Sequence, residues 1–198
     1  MKNIVFDLGR VVFAHKPEYR SEERKRFFSY VAESPMPQFW VDYDMGISSL
    51  EKVAEDLAAY RNCEVEYARS MIEQSIEWQS TIEPTAKLIR DLKAAGYRLY
   101  VLSNMSCEFI AFLRKKEVYA YFDGEVVSCE EKVVKPMPEI YRRLIDRYSL
   151  DVKETMFIDD RKENVEAAEK VGIEGFHFNR KDIAGTIGEL RSKLRIKN

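Results

Sequence analysis

From residue 81 onward, the chain alternates short apolar runs with longer segments in which apolar residues recur every three or four positions. Short apolar runs are typical of buried strands, and the three-to-four spacing is typical of amphipathic helices. The pattern predicts strands at 98–102, 122–128, 154–158 and 175–178, in addition to a first strand at 3–8. It predicts helices at 84–95, 106–116, 136–148, 161–171 and 183–194. Strands separated by helices of this length indicate right-handed crossovers and an α/β fold with a mostly parallel sheet.

Residues 18–79 have a different pattern, because they contain several helical segments and no strand alternation. This block is predicted to be a helical insertion after the first strand. The rest of the chain then supplies the sheet and the helices that cover it.

Polar groups follow several of the predicted strands, where the strands end. In open α/β sheets the carboxyl ends of the strands form the ligand crevice, so these groups are expected to gather at one edge. A carboxylate, a hydroxyl, an ammonium and a carboxylate pair suit phosphoryl transfer assisted by a divalent cation. The groups are Asp7, Ser103 with Asn104, Lys135, and Asp159 with Asp160.

The acidic residues allow a catalytic and a structural interpretation. Asp7 is either a nucleophile that attacks phosphorus or an aspartate that caps a loop. Asp159 and Asp160 would repel a third carboxylate, and a hard cation such as Mg²⁺ would relieve that repulsion. Asp160 is also placed to cap a helix, with Glu163 three residues later, but capping does not explain Asp159. Asn164 is a candidate to hold the acidic loop.

The remaining polar groups are candidates for binding phosphate. Ser103 and Asn104 come just before a helix, whose N-terminus favours anions, although Ser106 is equally suited to be a plain cap. Lys135 precedes Pro136, which favours an extended backbone at Lys135 and is itself expected in the first turn of the next helix. Arg10 either contacts a substrate phosphate or forms a salt bridge.

Composition narrows the range of partners. The 198 residues carry 32 Lys and Arg against 34 Asp and Glu, a formal net charge of −2, so we expect no nucleic-acid partner. No apolar run approaches the roughly 20 residues that span a bilayer, so no membrane span is expected. The first residues enter a strand directly, which predicts an untargeted, cytoplasmic protein.

The three cysteines, Cys63, Cys107 and Cys129, lack metal-ligand spacing and are expected to be reduced thiols.

The order of these groups, and the segments 134–141 and 158–168 in particular, resembles the haloacid dehalogenase superfamily. The resemblance covers 1–14 and 82–198 as a catalytic core, and 15–81 looks like that family's four-helix cap. It implies a Rossmann-like three-layer core, a Mg²⁺ cofactor and hydrolysis of a phosphate monoester.

The same resemblance implies a role for each site residue. Asp7 would be the nucleophile and a metal ligand, and the backbone carbonyl at Gly9 would be a second ligand. Asp159, with Asp160 beside it, would complete the metal site. Ser103 and Lys135 would bind the phosphate, and Lys135 is also a candidate catalytic residue. Asn104 and Arg10 are further candidates for binding phosphate, from their positions in the sequence.

The chain departs from the family's pattern at Gly9, where phosphatases of the family usually carry a second aspartate as general acid and base. Gly9 is also expected to let the backbone turn tightly after Asp7. The missing acid leaves open what protonates the leaving group and activates water, a contribution of about 10²–10⁴-fold. His15 is a candidate substitute.

Three functions therefore stay open. The first is a Mg²⁺-dependent phosphatase of a small phosphorylated metabolite, and a sugar phosphate would fit a lidded pocket. The second is a phosphate-binding or regulatory protein with weak activity. The third is a haloacid dehalogenase, which also lacks the second acid but has no need of Mg²⁺.

Substrate choice is expected to depend on the turn at 44–47 and on nearby aromatic residues, which are either cap core or substrate contacts. These residues are Phe39, Trp40 and Tyr43. No feature of the sequence indicates an oligomeric state.

Overall fold

The computed structural model, which describes residues 1–33 and 35–196, contains a central sheet and a separate two-stranded ribbon. The strands are β1 (Asn3–Phe6), β2 (Phe13–His15), β3 (Gln79–Thr81), β4 (Arg98–Ser103), β5 (Gly124–Val127), β6 (Thr155–Asp159) and β7 (Glu174–His177). The helices are α1 (Glu22–Phe27), α2 (Gln38–Asp44), α3 (Leu50–Arg61), α4 (Val65–Glu77), α5 (Glu83–Ala94), α6 (Cys107–Leu113), α7 (Ser128–Glu131), α8 (Pro138–Tyr148), α9 (Lys162–Lys170) and α10 (Ile183–Lys193). The order across the central sheet is β5-β4-β1-β6-β7, and every neighbouring pair is parallel. The predicted α/β fold with a mostly parallel sheet is confirmed.

Strand β1 lies at the centre of the sheet, and its side chains alternate between two hydrophobic cores. Ile4 and Phe6 belong to a core that includes apolar residues of α5, α6 and α10. Val5 belongs to a second core, which includes apolar residues of α8 and α9. Because helices cover both faces, the strand reads as one continuous apolar run. The result is the expected three-layer arrangement of helices, sheet and helices.

Helices α1–α4 lie between β2 and β3, and we call residues 15–81 the helical insert. These helices have a hydrophobic core of their own, which includes Tyr30, Trp40, Tyr43, Val53, Leu57 and Ile72. The chain enters and leaves the insert through the antiparallel ribbon of β2 and β3, in which Phe13 pairs with Thr81. The ribbon was not predicted, because strands of three residues are too short to show alternation. The predicted boundaries at 14/15 and 81/82 fall in this ribbon, and the division into core and cap stays a prediction.

Some predicted helix bounds are wrong in detail. The helix predicted from Pro136 begins at Pro138 instead, and a cis peptide bond joins Lys135 to Pro136. The amide of Met137 donates to the carbonyl of Val134 at 2.9 Å, and this turn keeps Pro136 out of the helix. The helix predicted at 106–116 ends at Leu113, and a 3₁₀ helix follows it.

The structure also bears on the predictions from composition. Within the described ranges, no helix has both the length and the apolar character that crossing a bilayer requires. Cys63, Cys107 and Cys129 are free thiols, as predicted. The predicted core range ends at residue 198, and its last two residues lie outside the described part of the chain.

Candidate active site

Three carboxylates meet at the carboxyl edge of the central sheet. Asp7 directly follows β1, Asp159 ends β6, and Asp160 is the next residue. These two strands are neighbours, and the Asp7 amide donates to the carbonyl of Ile158 at 2.9 Å. One carboxylate oxygen from each of the three residues lies within 4.8 Å of the others. The pairing of β1 with β6 thus brings together groups that are more than 150 positions apart in the chain.

Lys135 joins two of these carboxylates. Its ammonium donates to Asp7 Oδ1 at 2.8 Å, to Asp159 Oδ2 at 2.6 Å and to the carbonyl of Leu102 at 2.9 Å. The Lys135 side chain is 2% exposed. A buried ammonium needs such partners, because an unpaired charge in the interior costs several kcal/mol.

Ser103 and Asn104, at the end of β4, have different surroundings. The hydroxyl of Ser103 donates to Asp7 Oδ1 at 3.0 Å, so it lies beside the predicted nucleophile. The amide of Asn104 donates to the carbonyl of Lys135 at 2.9 Å and accepts from the amide of Lys135 at 2.8 Å. Both polar groups of the Asn104 side chain therefore hold the Lys135 backbone in place.

Asp159 and Asp160 are adjacent in the chain and differ in their partners. Asp159 accepts from the Arg161 amide at 2.8 Å and from Asn164 Nδ2 at 3.0 Å, so Asn164 does hold the acidic loop. Helix α9 has Arg161 as its cap residue, so the alternative that Asp160 caps this helix is wrong. The helix starts one residue too late for that role, and Asp160 instead pairs with Arg180 at 3.2 Å.

The pKa values of Asp7 and Asp160 are raised by burial and by the neighbouring carboxylates. Burial raises the pKa of the Asp7 carboxyl to about 7; Lys135 opposes this rise, and the charges of Asp159 and Asp160 add to it. Burial and the charge of Asp159 likewise raise the pKa of Asp160. The two buried carboxylates outweigh the effect of burial on Lys135 and raise its pKa, so the ammonium keeps its proton. Carboxylate oxygens that repel one another at this spacing fit a hard divalent cation such as Mg²⁺.

The tight turn after Asp7 was predicted at Gly9, but the structure places it at Arg10. Arg10 has φ 61°, in the left-handed region, whereas Gly9 does not have a positive φ. A Cβ atom built at Gly9 would meet nothing nearer than Asp7 Oδ2 at 4.0 Å. No side chain therefore fills the place next to Asp7 where family members carry their second acid.

His15, the candidate substitute acid, lies in β2. Its Nε2 is 2.8 Å from the carbonyl of Ser75 in the insert, and Gln79 also contacts this nitrogen. Burial lowers the pKa of His15, which favours the neutral ring. The ring nitrogen thus binds the insert, and no hydrogen bond links it to Asp7 within the described residues.

A cavity of about 710 Å³ lies between the loop after β1 and the helical insert. Gly9 and Arg10 line it where it meets the site. Its walls are formed mainly by apolar side chains, which include Phe13, Phe28, Val31, Trp40, Ile82 and Phe109. Basic and neutral polar side chains also line it, and no acidic residue of the described chain does. The basic residues are Arg10, Arg20, Arg24, Lys25, Arg180 and Lys181, and the neutral polar ones include Ser29, Ser75 and Gln79. The predicted aromatic residue Trp40 is thus both part of the insert's core and part of the cavity wall.

No role was assigned to Ser128 from the sequence, and Asp44 was connected only with substrate choice, as part of the turn at 44–47. Ser128, at the start of α7, links the loop after β4 to the end of α2 through its hydroxyl. Asp44, which was named from the sequence as part of a turn, has its pKa raised by burial and shifted by the charges of Arg161, Asp7 and Lys135. No sequence signal marks Ser128. Asp44 could have been singled out because it lies just before the turn that contains Gly46.

Comparison with known proteins identifies the family. A model of the haloacid dehalogenase-like hydrolases matches residues 1–172. A sesquiterpene phosphatase from Aspergillus oryzae is 26% identical over 194 residues, covering 96% of this chain and 95% of that protein. A phosphorylated carbohydrates phosphatase from Thermotoga maritima is 23% identical over 188 residues, covering 88% and 83%.

A solved structure shares the fold. The haloacid dehalogenase family enzyme of Bacteroides thetaiotaomicron, in complex with magnesium and inorganic phosphate, has a TM-score of 0.70 at 22% identity. The superposition covers 91% of this chain and 95% of that one. Because the family model spans most of the sequence and the fold agrees with it, the chain belongs to the haloacid dehalogenase-like hydrolases.

Proposed function

We propose that this hydrolase is a Mg²⁺-dependent phosphatase that acts on a small phosphorylated metabolite through an aspartyl-phosphate intermediate. The observation that carries the proposal is the convergence of three carboxylate oxygens within 4.8 Å, with Lys135 bonded to two of those carboxylates. The phosphatase and the magnesium–phosphate complex among its relatives support the same chemistry.

The proposed roles follow from the contacts of each residue. Asp7 attacks phosphorus, and the bond to Lys135 favours its ionised, nucleophilic form. Ser103 and Lys135 lie beside Asp7 and supply donors for the phosphate oxygens. Asn104 positions Lys135 through its two backbone bonds.

Asp7, Asp159, Asp160 and the carbonyl of Gly9 are the proposed ligands of Mg²⁺. When bound, the ion would act as a Lewis acid that offsets negative charge on the phosphate oxygens. Arg10 lines the adjacent cavity, where its guanidinium is available to an anionic substrate.

The alternatives fit these observations less well. A dehalogenase has no need for a metal, and three carboxylates gathered without a cation would repel one another. A weakly active phosphate-binding protein is favoured only by the missing acid at Gly9. The cytoplasmic location stays a prediction.

The organic part of the substrate is the least defined feature. A sugar phosphate was predicted, and a carbohydrate phosphatase is among the relatives. The mainly apolar wall of the cavity instead favours an organic part with substantial apolar surface, and a sesquiterpene phosphatase is also among the relatives. We therefore propose a phosphate monoester of a largely apolar alcohol as the preferred substrate.

Phosphate release from an aryl phosphate tests the central proposal. We expect turnover that requires Mg²⁺, stops in EDTA, and falls by about 10⁴-fold or more in Asp7→Asn, because the nucleophile is lost. Asp146→Asn is the matched control, since Asp146 is exposed on α8, and it should leave the rate unchanged.

Other outcomes would contradict this proposal in distinct ways. Unchanged release in Asp7→Asn would exclude the covalent mechanism. Metal-independent turnover would exclude the role of Mg²⁺. Release of halide from a 2-haloacid would support the dehalogenase, and phosphate binding without turnover would support the weakly active protein.

A further inference from the structure

We propose that Asp44, contributed by the helical insert, is the general acid and base of the reaction and replaces the acid missing at Gly9. This inference rests on the proposed phosphatase function. It starts from the open space beside Asp7 at Gly9 and from the engagement of His15 by the insert. A proton donor must therefore come from another element.

The position of Asp44 in helix α2 is the first structural support for this role. Asp44 is the last residue of α2, one helical turn after Trp40, and residues four apart lie on the same face of a helix. Trp40 lines the cavity. Asp44 therefore lies on the same face of α2 as Trp40, at the end of the helix and just outside the lining of the cavity.

The turn that follows α2 is fastened to the core. Ser128 Oγ donates to the carbonyl of Asp44 at 2.5 Å and accepts from the amide of Met105 at 2.9 Å. Lys132 Nζ donates to the carbonyl of Gly46 at 2.6 Å. These bonds tie the turn to the loops after β4 and β5, so the insert presents Asp44 to the core at a defined place.

The carboxylate of Asp44 has no assigned structural task. Within the described ranges, no hydrogen bond or ion pair reaches its carboxylate oxygens, although Asp44 is partly buried. The core groups that interact with it are Arg161, Asp7 and Lys135. Within the described residues this partly buried acid has no structural partner, and it lies close enough to Asp7 and Lys135 for their charges to act on it, so it is available for proton transfer.

The charges around Asp44 also suit this role. Burial raises the pKa of Asp44 to about 7; Arg161 lowers it, Asp7 raises it and Lys135 lowers it. The hydroxyls of Tyr30 and Tyr43, within the insert, interact with it too. A carboxyl that holds its proton near neutral pH can serve as donor in one step and acceptor in the next.

Proton transfer through Asp44 balances over the two steps. In the first, an oxygen of Asp7 bonds to phosphorus, the bond from phosphorus to the ester oxygen breaks, and the protonated Asp44 gives its proton to the departing alkoxide. In the second, the Asp44 carboxylate takes a proton from water as the water oxygen attacks the aspartyl phosphate. Phosphate and the Asp7 carboxylate are released, and Asp44 is again protonated.

The test compares two esters whose leaving groups differ in their need for a proton. In Asp44→Asn, kcat/KM should fall by about 10²–10⁴-fold for an alkyl phosphate, whose alkoxide requires protonation. It should fall by about tenfold or less for 2,4-dinitrophenyl phosphate, whose phenolate leaves without a proton. The same variant should release phenolate in a burst equal to the enzyme concentration, because the second step then lacks its base.

Two further variants make the test specific. Asp42→Asn, on the same helix, removes a carboxylate whose one hydrogen bond among the described residues comes from Gln38, and it should leave both rates unchanged. Gly9→Asp in the Asp44→Asn background should restore part of the alkyl phosphate rate, since a side chain has room there.

The outcomes separate the two proposals. Equal losses on both esters, or no loss on either, would overturn the role of Asp44 and leave the phosphatase proposal intact. No turnover of either ester by the unmodified protein would overturn both. Unfolding curves for each variant show whether a lost rate reflects a lost fold.

Discussion

At the scale of single residues, the charge balance of the site depends on Lys135. Its ammonium pairs with the carboxylates of both Asp7 and Asp159, and all three side chains are buried. Removing one partner from a buried ion pair leaves the remaining charges uncompensated, which costs about 3–5 kcal/mol. The same lysine favours the ionised form of Asp7, so stability and chemistry are coupled at this position.

We therefore expect Lys135→Met to lower the free energy of unfolding in EDTA by about 3–5 kcal/mol. Added Mg²⁺ should recover part of that loss, because a cation between the carboxylates offsets their repulsion. Urea unfolding with and without Mg²⁺ measures both effects, and Lys153→Met, at an exposed lysine, is the control. An equal loss with and without Mg²⁺ would argue against a metal bound by these acids.

At the scale of elements, the contact between the insert and the core depends on the turn after α2. Gly46 has φ 62°, and a Cβ atom there would lie 2.6 Å from the carbonyl oxygen of Cys129. Gly96, at the end of α5, has φ 87° and no atom within 4 Å of such a Cβ. The two glycines thus share a left-handed backbone, and only Gly46 is packed against the core.

Alanine substitutions at Gly46 and Gly96 can distinguish the effect of backbone strain from the effect of the contact between the turn and α7. Gly96→Ala should cost about 1–2 kcal/mol of stability, the usual penalty for a left-handed residue with a Cβ, and leave kcat/KM unchanged. Gly46→Ala should cost more and lower kcat/KM as well, because the turn that carries Asp44 must move away from α7. Urea unfolding and steady-state rates measure the difference. Equal effects of the two substitutions would show that docking of the turn does not matter for activity.

At the scale of the whole molecule, the acidic site and the apolar wall of the cavity come mainly from different parts of the chain. The acidic edge of the sheet belongs to the core, whereas much of the apolar wall belongs to the insert, which includes Phe28, Val31 and Trp40. In the proposed reaction, the phosphate would therefore be recognised at the strand ends, and the organic part by the insert, which the ribbon of β2 and β3 joins to the core.

This division predicts how the rate depends on the alcohol. Across a series of linear alkyl phosphates, kcat/KM should rise by up to about fourfold per added methylene until the cavity is full, since each buried CH₂ contributes about 0.8 kcal/mol. A hexose phosphate serves as the polar comparison and should be a poorer substrate than a hexyl phosphate. A higher kcat/KM for the hexose ester would restore the sugar-phosphate prediction.

Much of the fold and of the acidic site could be predicted from the sequence, because both depend on local pattern. The continuous apolar run of β1 requires burial on both faces, and this indicates a parallel sheet covered by helices. Parallel strands place their carboxyl ends at one edge, so Asp7, Ser103 and Asp159 were expected to meet there. The helical nature of residues 22–77 was likewise readable from spacing.

Features that depend on distant contacts were decided by the tertiary structure alone. Asn104 was expected to bind phosphate, but its amide holds the Lys135 backbone, 31 positions away. The tight turn lies at Arg10 because the amides of Val12 and Phe13 both bond to the carbonyl of Leu8. The end of α2, which carries Asp44, is held against the core by Ser128, 84 positions away. The existence and spacing of strands and helices follow from the periodicity of the chain, whereas these partners are decided by packing between distant segments, which the local sequence does not determine.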